Sequence, residues 1–414
     1  MLISYLNLAI KVLARRKFFT FVSLFGICLT LVVLMVATVI FDRFFAPHAP
    51  ESKLDRILGI YQIELSAGDS RRTGPAGYEF LDRTLRDLPG VEAVSIGEIP
   101  DRLAVYADGS KLELFRRRVD GNFWRVFDFD LVAGALYTQA DEENARFVSV
   151  INRSTAQALF GGPEKALHKP IEIDGQRFEV VGVVEDVPFS GFRSFADVWA
   201  PISTNKSAAY REGFSGSNFG FVLAKSRDEI PAIQAEFLSR VAATPIPASR
   251  PDMREPEWKT MKAALETPLE AIVSSFRLPS VLWLRGFFVA LALLVMVLPA
   301  INLVNLNLSR ILERASEIGV RRAFGARRGT LVLQFLVENL VLTLIGGALG
   351  LVASALVLEG INATGIVPRS EFALNFRVFA VGLVASAVFA ALSGIYPAWR
   401  MSRLQPVDAL KGTA

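Results

Sequence analysis

Residues 310–328 hold six arginines against two glutamates, a positive segment whose natural chemistry is ionic contact with a partner or a surface. Ile311, Ala315 and Ile318 share one helical face, while Glu313, Arg314, Glu317 and Arg321 lie mostly elsewhere. The spacing predicts a short amphipathic helix. Glu317 and Arg321 stand i,i+4 in the favourable order, worth roughly a few tenths of a kcal/mol to such a helix, and Gly325 offers it an end. Two uses fit the charge. The segment can lie against anionic lipid, or it can present a mixed-charge helix for a cytoplasmic motor protein to grip.

Groups for bond-making chemistry lack their partners. A phosphate-wrapping loop needs Gly-Lys-Ser/Thr, and the sequence contains no Gly-Lys dipeptide. The fragment Leu-Ser-Gly at 392–394 resembles part of an ABC signature but lies inside an apolar run without the remaining residues. His48 and His168 are the only histidines, neither in an H-E-x-x-H frame, and no G-x-S-x-G elbow occurs, so metalloprotease and serine-hydrolase readings lack their minimal parts. His168, beside Lys169, reads as a surface-loop residue. No catalytic residue, metal site or bound cofactor is expected. The single cysteine, Cys28, forms no intramolecular disulfide, so any exported part relies on its own core.

The elements that position the arginine-rich segment are apolar. Of 414 residues, 52% are hydrophobic and 21% charged, with a net charge of +4. That excludes a purely soluble or disordered chain and gives no basis for nucleic-acid binding. Residues 18–41 contain no ionisable group besides Cys28, and about 20 apolar residues cross a bilayer core. A cleavable signal would have a shorter apolar core. Three more spans are predicted at about 286–306, 331–358 and 379–396. Lys and Arg gather before the first span, between the second and third, and after the fourth, so both termini (an amphipathic 1–17 and a tail at 401–414) are expected in the cytoplasm. Residues 42–282 then lie outside. Glu338, following Gln334 in the third span, reads either as a functional charge or as a near-interface carboxylate paired with the preceding arginines. Gly346, Gly347 and Gly350 form a small-residue pattern for close helix packing, within one bundle or across a dimer.

The external stretch reads as folded α+β. Asp174-Gly175 between two alternating runs predicts a hairpin over 171–184, and apolar spacing predicts helices at 78–88, 154–160 and 230–241. The Pro-rich 244–258 reads as an irregular connection back to the membrane. The fold class expected is therefore an α-helical membrane protein with four transmembrane helices, one plus three, and a large α+β domain inserted between the first and second.

These residues resemble the permeases of the MacB/FtsX-type ABC transporter superfamily, the mechanotransmission ABC transporters. ERASEIGVRRAFGARR and QFLVENLVLTLIGGALG are similar to that family's coupling segment and third span. SGIYPAWRMSRLQPVDALKG resembles its closing pattern, and LVAGALYTQADEENARFVSVINRSTAQALFGG with PIEIDGQRFEVVGVVEDVP resembles its MacB-like periplasmic core domain. The resemblance implies an FtsX-like region at 283–400 and a second lobe of the external domain at about 120–201. It also implies that Glu313, Arg314, Glu317, Arg321 and Arg322 form the segment on which ATPase subunits dock. Two permeases would pair, as a homo- or heterodimer, in the inner membrane. ATP and Mg would sit on the partner ATPase, expected here as a separate subunit because the chain begins nearly at the membrane. A periplasmic adaptor and an outer-membrane channel are further partners in such systems. Export of a substrate is the expected task. Regulatory transmission to lipoprotein release or cell-wall hydrolases is the alternative, and a membrane-anchored receptor without ATP coupling is the competing class.

Overall fold

The computed structural model describes residues 15, 17–45, 47–107, 110–188, 191–247, 256–291, 293–294, 328–364 and 372–402. They fall into two compact units, one within Phe44–Val281 and the other built from the segments before and after it. The first 14 residues, the tail beyond 402, the rest of the expected second span and the middle of the Pro-rich connection lie outside the described residues.

The helical unit contains α1 (Lys17–Phe45). Across α1 the side chains at 23, 27, 31 and 35 are buried, while Phe18, Phe21, Phe25, Leu29 and Val33 are exposed on another side. A helix apolar on its exposed side as well as its packed side belongs in lipid rather than water. Thr20–Val39 and Leu336–Thr364 are each long and apolar enough to cross a membrane, and Val281–Leu291 and Phe376–Val388 are shorter apolar helical stretches.

In the other unit most strands join one mixed sheet. Its strands are β1 (Ile57–Ile60), β4 (Val91–Glu98), β5 (Asp101–Ala107), β6 (Ser110–Val119), β7 (Leu131–Gly134), β8 (Val148–Asn152), β9 (Pro170–Ile173), β10 (Gln176–Val184), β11 (Val198–Pro201) and β12 (Asn218–Ala224). The order is β1-β12-β4-β6-β11-β8-β10-β7, with β5 on β6 and β9 on β10. β2 (Ile63–Ala67), β3 (Ser70–Gly74) and β13 (Thr260–Ala263) make a separate small sheet, in the order β13-β2-β3. The hairpin turn has Asp174 at φ 53° and Gly175 at φ 73°, both positive as a two-residue primed turn requires, and it sets Gln176 opposite Ile173.

Period-two alternation places a core on each face of the large sheet. In β12, Phe221 and Leu223 join the aromatic cluster of Phe123, Phe127 and Trp199. Val222 and Ala224 turn to the opposite face, where Phe80 and Leu81 of α2 (Tyr78–Leu85) and Ile233 and Phe237 of α5 (Ile230–Ala243) cover them. Between those in the chain, besides two single-turn helices at Phe123–Val126 and Pro163–Ala166, come α3 (Gln139–Glu143) and α4 (Arg153–Phe160). α4 starts where the Asn152 side chain accepts from the Thr155 N–H at 2.9 Å and stops at Gly161, φ 74°, a left-handed end suited to glycine. α2 ends before the expected residue 88 because Arg86 turns extended and Asp87 takes φ 55°. The segment 120–201 shares its sheet with the rest, since β11 runs parallel to β6 with Val198 opposite Arg116.

Candidate functional site

The chain leaving α1 is fastened to the external domain within a few residues. The Asp128 N–H donates to the Pro50 carbonyl at 2.8 Å, and the Asp128 carboxylate accepts from Ser52 and, at 2.7 Å, from the Lys53 ammonium. Between these, Glu51 is 1% exposed and accepts from Arg193 Nη1 at 2.8 Å and Ser194 Oγ at 3.0 Å. Arg193 Nε donates to the Tyr61 hydroxyl at 3.1 Å. Burial pushes that hydroxyl up despite the arginine, so it stays a neutral acceptor. Behind the joint Arg117 is buried between the rings of Phe123 and Phe221, at 5.3 and 5.5 Å, and donates to the carbonyls of Glu98 and Arg193. Loss of water pushes Arg117 down to about 9, still charged at neutral pH. A cation–π site of this kind holds a guanidinium that has no carboxylate of its own.

The connection toward the later helices meets the first connection at β1. Gly59 and Glu266 exchange backbone hydrogen bonds of 2.8 and 2.9 Å, on the edge of β1 away from β12. The next residue, Thr267, caps α6 (Pro268–Ser275) in a reciprocal box with Glu270, which satisfies otherwise orphaned N–H groups at the helix start. α7 (Val281–Leu291) follows after the non-helical residues 276–280. The first connection thus runs on in sequence into β1, and the second is hydrogen-bonded to that strand.

Inside the helical unit, α8 (Arg328–Thr364) carries Gly346 and Gly350 toward α1. A Cβ on Gly346 would lie 2.8 Å from the Ile27 side chain, and one on Gly350 would lie 3.2 Å from Leu31. Gly347 faces the other neighbour, α9 (Phe376–Ser402), where its Cβ would lie 2.5 Å from Leu383. Glu338 and Asn339 are buried at 4% and 5% exposure, one turn before the buried Thr343. Glu313, Arg314, Glu317, Arg321 and Arg322 lie outside the described residues.

A third feature is a cavity of about 350 Å³ lined by Tyr78, Asp120, Gln139 and Glu142 among others. Asp120 accepts from Ser95 Oγ at 2.7 Å, from the Ile96 N–H at 2.8 Å and from the Phe123 N–H at 3.1 Å. Desolvation nevertheless pushes its carboxyl up to about 6. Glu142 accepts from the Ser203 N–H at 3.0 Å, and burial followed by the nearby Asp120 pushes it up to about 7. Among the described residues no group of three His, Cys, Asp or Glu could hold a metal. Sequence reading missed the Glu51–Arg193 joint and this carboxyl pair. Their members are far apart in the chain, and the sole local hint is an arginine standing among the apolar residues of 192–200.

An α+β domain inserted between apolar helices is the layout of a membrane permease with an extracytoplasmic domain. Residues 20–240 match the MacB-like periplasmic core domain, and residues 288–406 match the FtsX-like permease C-terminal region. The chain belongs to the MacB/FtsX-type ABC transporter permeases. It is 27% identical over 330 residues to the pyoverdine export ATP-binding/permease protein PvdT of Pseudomonas syringae pv. syringae, covering 77% of this chain and 47% of that one. It is 29% identical over 301 residues to the uncharacterized ABC transporter permease YvrN of Bacillus subtilis, covering 71% and 69%. To the macrolide export ATP-binding/permease protein MacB of Campylobacter jejuni it is 26% identical over 366 residues, covering 85% and 53%. The chain thus spans about half the length of the ATP-binding/permease relatives it matches.

Proposed function

We propose that this permease transmits ATP-driven movement of cytoplasmic ATPase subunits to its external domain and thereby drives export of a substrate. The observation that supports this reading is that the chain following α1 runs into β1, and Glu266, just before α6, exchanges backbone hydrogen bonds with Gly59 of that same strand, which pairs with β12 in the large sheet. Four spans, cytoplasmic termini and a paired second permease complete the proposed arrangement. The ATPase is a separate subunit in this reading, docked on the segment containing Glu313, Arg314, Glu317, Arg321 and Arg322 and holding the ATP and Mg. The export task leans on the similarity to the export proteins PvdT and MacB; an adaptor and an outer-membrane channel are part of the same proposal.

The test is purification of the solubilised full chain from its native cells, crosslinked, with and without Arg321→Glu. Recovery of a P-loop ATPase by the wild type and its loss from the variant is the expected result. Recovery of no ATPase would move a receptor without ATP coupling to the front. Recovery of an ATPase together with cell-wall hydrolases or lipoproteins would replace export by regulatory transmission.

A further inference from the structure

A cavity of about 790 Å³ lies between the small sheet and the helices α5 and α6. Small-molecule sites are of this size, with mostly apolar walls and a few placed polar groups. Leu238 and Val241 of α5 and Met261 of β13 supply apolar wall, and Leu238 is 54% exposed. The lining also carries two cations, Lys262 and Arg277, and two acids, Glu64 and Glu266. Lys262 stands opposite Glu64 in the small sheet, and Glu266 has the Ser274 hydroxyl as a neighbour. Among the described residues neither the Lys262 nor the Arg277 side chain has a hydrogen-bond or ion-pair partner.

The backbone singles out Arg277. It closes α6 at φ 53°, with its own N–H on the Ser274 carbonyl at 3.1 Å and the Leu278 N–H on the Val273 carbonyl at 2.8 Å. A helix stop of this kind normally takes glycine, and another residue in the left-handed region stores strain of the sort found at functional sites. What the arginine adds over glycine is its side chain.

Covalent geometry says what is near. Arg277 stands four residues before Val281, where α7 begins, and four residues reach at most about 14 Å. α7 leaves Trp283, Phe287 and Val289 exposed, which suits lipid and not water. A phospholipid matches each part of the lining: its chain the apolar wall, its phosphate the guanidinium, its ammonium the acids. An inorganic anion would leave the apolar wall and both acids without a role.

We infer that this cavity binds a membrane phospholipid by its phosphoethanolamine headgroup, with phosphate on Arg277 and Lys262, ammonium on Glu64 and Glu266, and an acyl chain along Leu238 and Met261. The site stands apart from the transport reading and holds whether or not movement is coupled to ATP.

The experiment places the full chain in phosphatidylcholine nanodiscs with a trace of phosphatidylethanolamine carrying an acyl-chain diazirine, and maps the photo-adducts by mass spectrometry. Expected are adducts on Leu238, Val241 or Met261, displaced by unlabelled phosphatidylethanolamine at about tenfold lower concentration than by phosphatidylglycerol, which lacks the ammonium. Arg277→Gly should cut these adducts about tenfold while leaving thermal unfolding unchanged or raised, because glycine suits that φ. Leu238→Glu, at an exposed position, should cut them without touching the headgroup. Adducts confined to the apolar helices overturn the assignment, as does cavity labelling that both variants leave intact. Equal displacement by the two lipids would remove the acids from the site and overturn the headgroup. Adducts that form with one chain per disc and vanish with two would give the groove to a second copy and overturn it as well.

Discussion

The external domain and the helix bundle hold their parts together by opposite means. In the domain, charge is buried and paired: Glu51 and Arg193 are 1% and 2% exposed, and Arg117 is fully buried over two rings. In the bundle, Glu338 and Asn339 are buried as well, but the close helix contacts that glycines permit are with aliphatic chains, Gly346 on Ile27, Gly347 on Leu383 and Gly350 on Leu31. Solvent explains the difference. Around the domain, water drives apolar burial strongly enough to carry a few desolvated ion pairs, whose return is geometric selection more than net stability. In lipid the surroundings are as apolar as leucine, so close fit between small residues takes over the work of association.

The sharpest way to break this contrast is Arg193→Met, which strands Glu51 in the core. A loss of ~3–5 kcal/mol in the unfolding free energy of the full chain is expected, read by tryptophan fluorescence during denaturant unfolding, with Glu51→Met added to Arg193→Met restoring most of it. If the single change were silent, the joint would not be a buried ion pair in solution. On the bundle side Gly347→Leu overfills the contact with Leu383 and should cost ~3 kcal/mol. Gly360→Ala, with open space around its Cβ position, should be neutral or slightly stabilising in the same assay.

A pH dependence is expected from the domain, where two buried carboxyls are raised toward neutrality. Glu142 is raised from 4.5 to about 7 and Asp120 from 3.8 to about 6, so the folded chain holds these protons more tightly than the unfolded one. Stability contributed here is greatest below the unfolded values and falls as pH rises through about 7, by ~3 kcal/mol for Glu142. Unfolding of the full chain followed across that interval should show this slope, and Glu142→Gln should flatten it. A smaller cost is expected from Thr267→Ala, which removes one half of the cap on α6 and should cost ~1 kcal/mol. Its readout is faster hydrogen exchange confined to 267–275.

Much of the scaffold is legible locally. The turn at Asp174-Gly175 follows from two residues that accept positive φ, and α4 from an asparagine cap and a glycine stop. The apolar run of α1 announces its solvent by composition alone. The small residues at 346, 347 and 350 announce close packing, yet the sequence leaves the neighbour open. Only the assembled structure assigns Gly346 and Gly350 to α1, and Gly347 to α9, because adjacent positions on a helix point about 100° apart.

By itself, then, the sequence determined what short-range chemistry determines: which runs prefer lipid, where helices begin and end, where a hairpin turns, and the residues of the arginine-rich segment. The tertiary structure alone decided that Glu51 meets Arg193 across 142 positions, that Gly59 and Glu266 join both membrane connections on one strand, and that Asp120 and Glu142 face one cavity. The physical reason is that burial of a charge is set by everything packed around it. Neither its pairing nor its protonation is encoded in its neighbours along the chain.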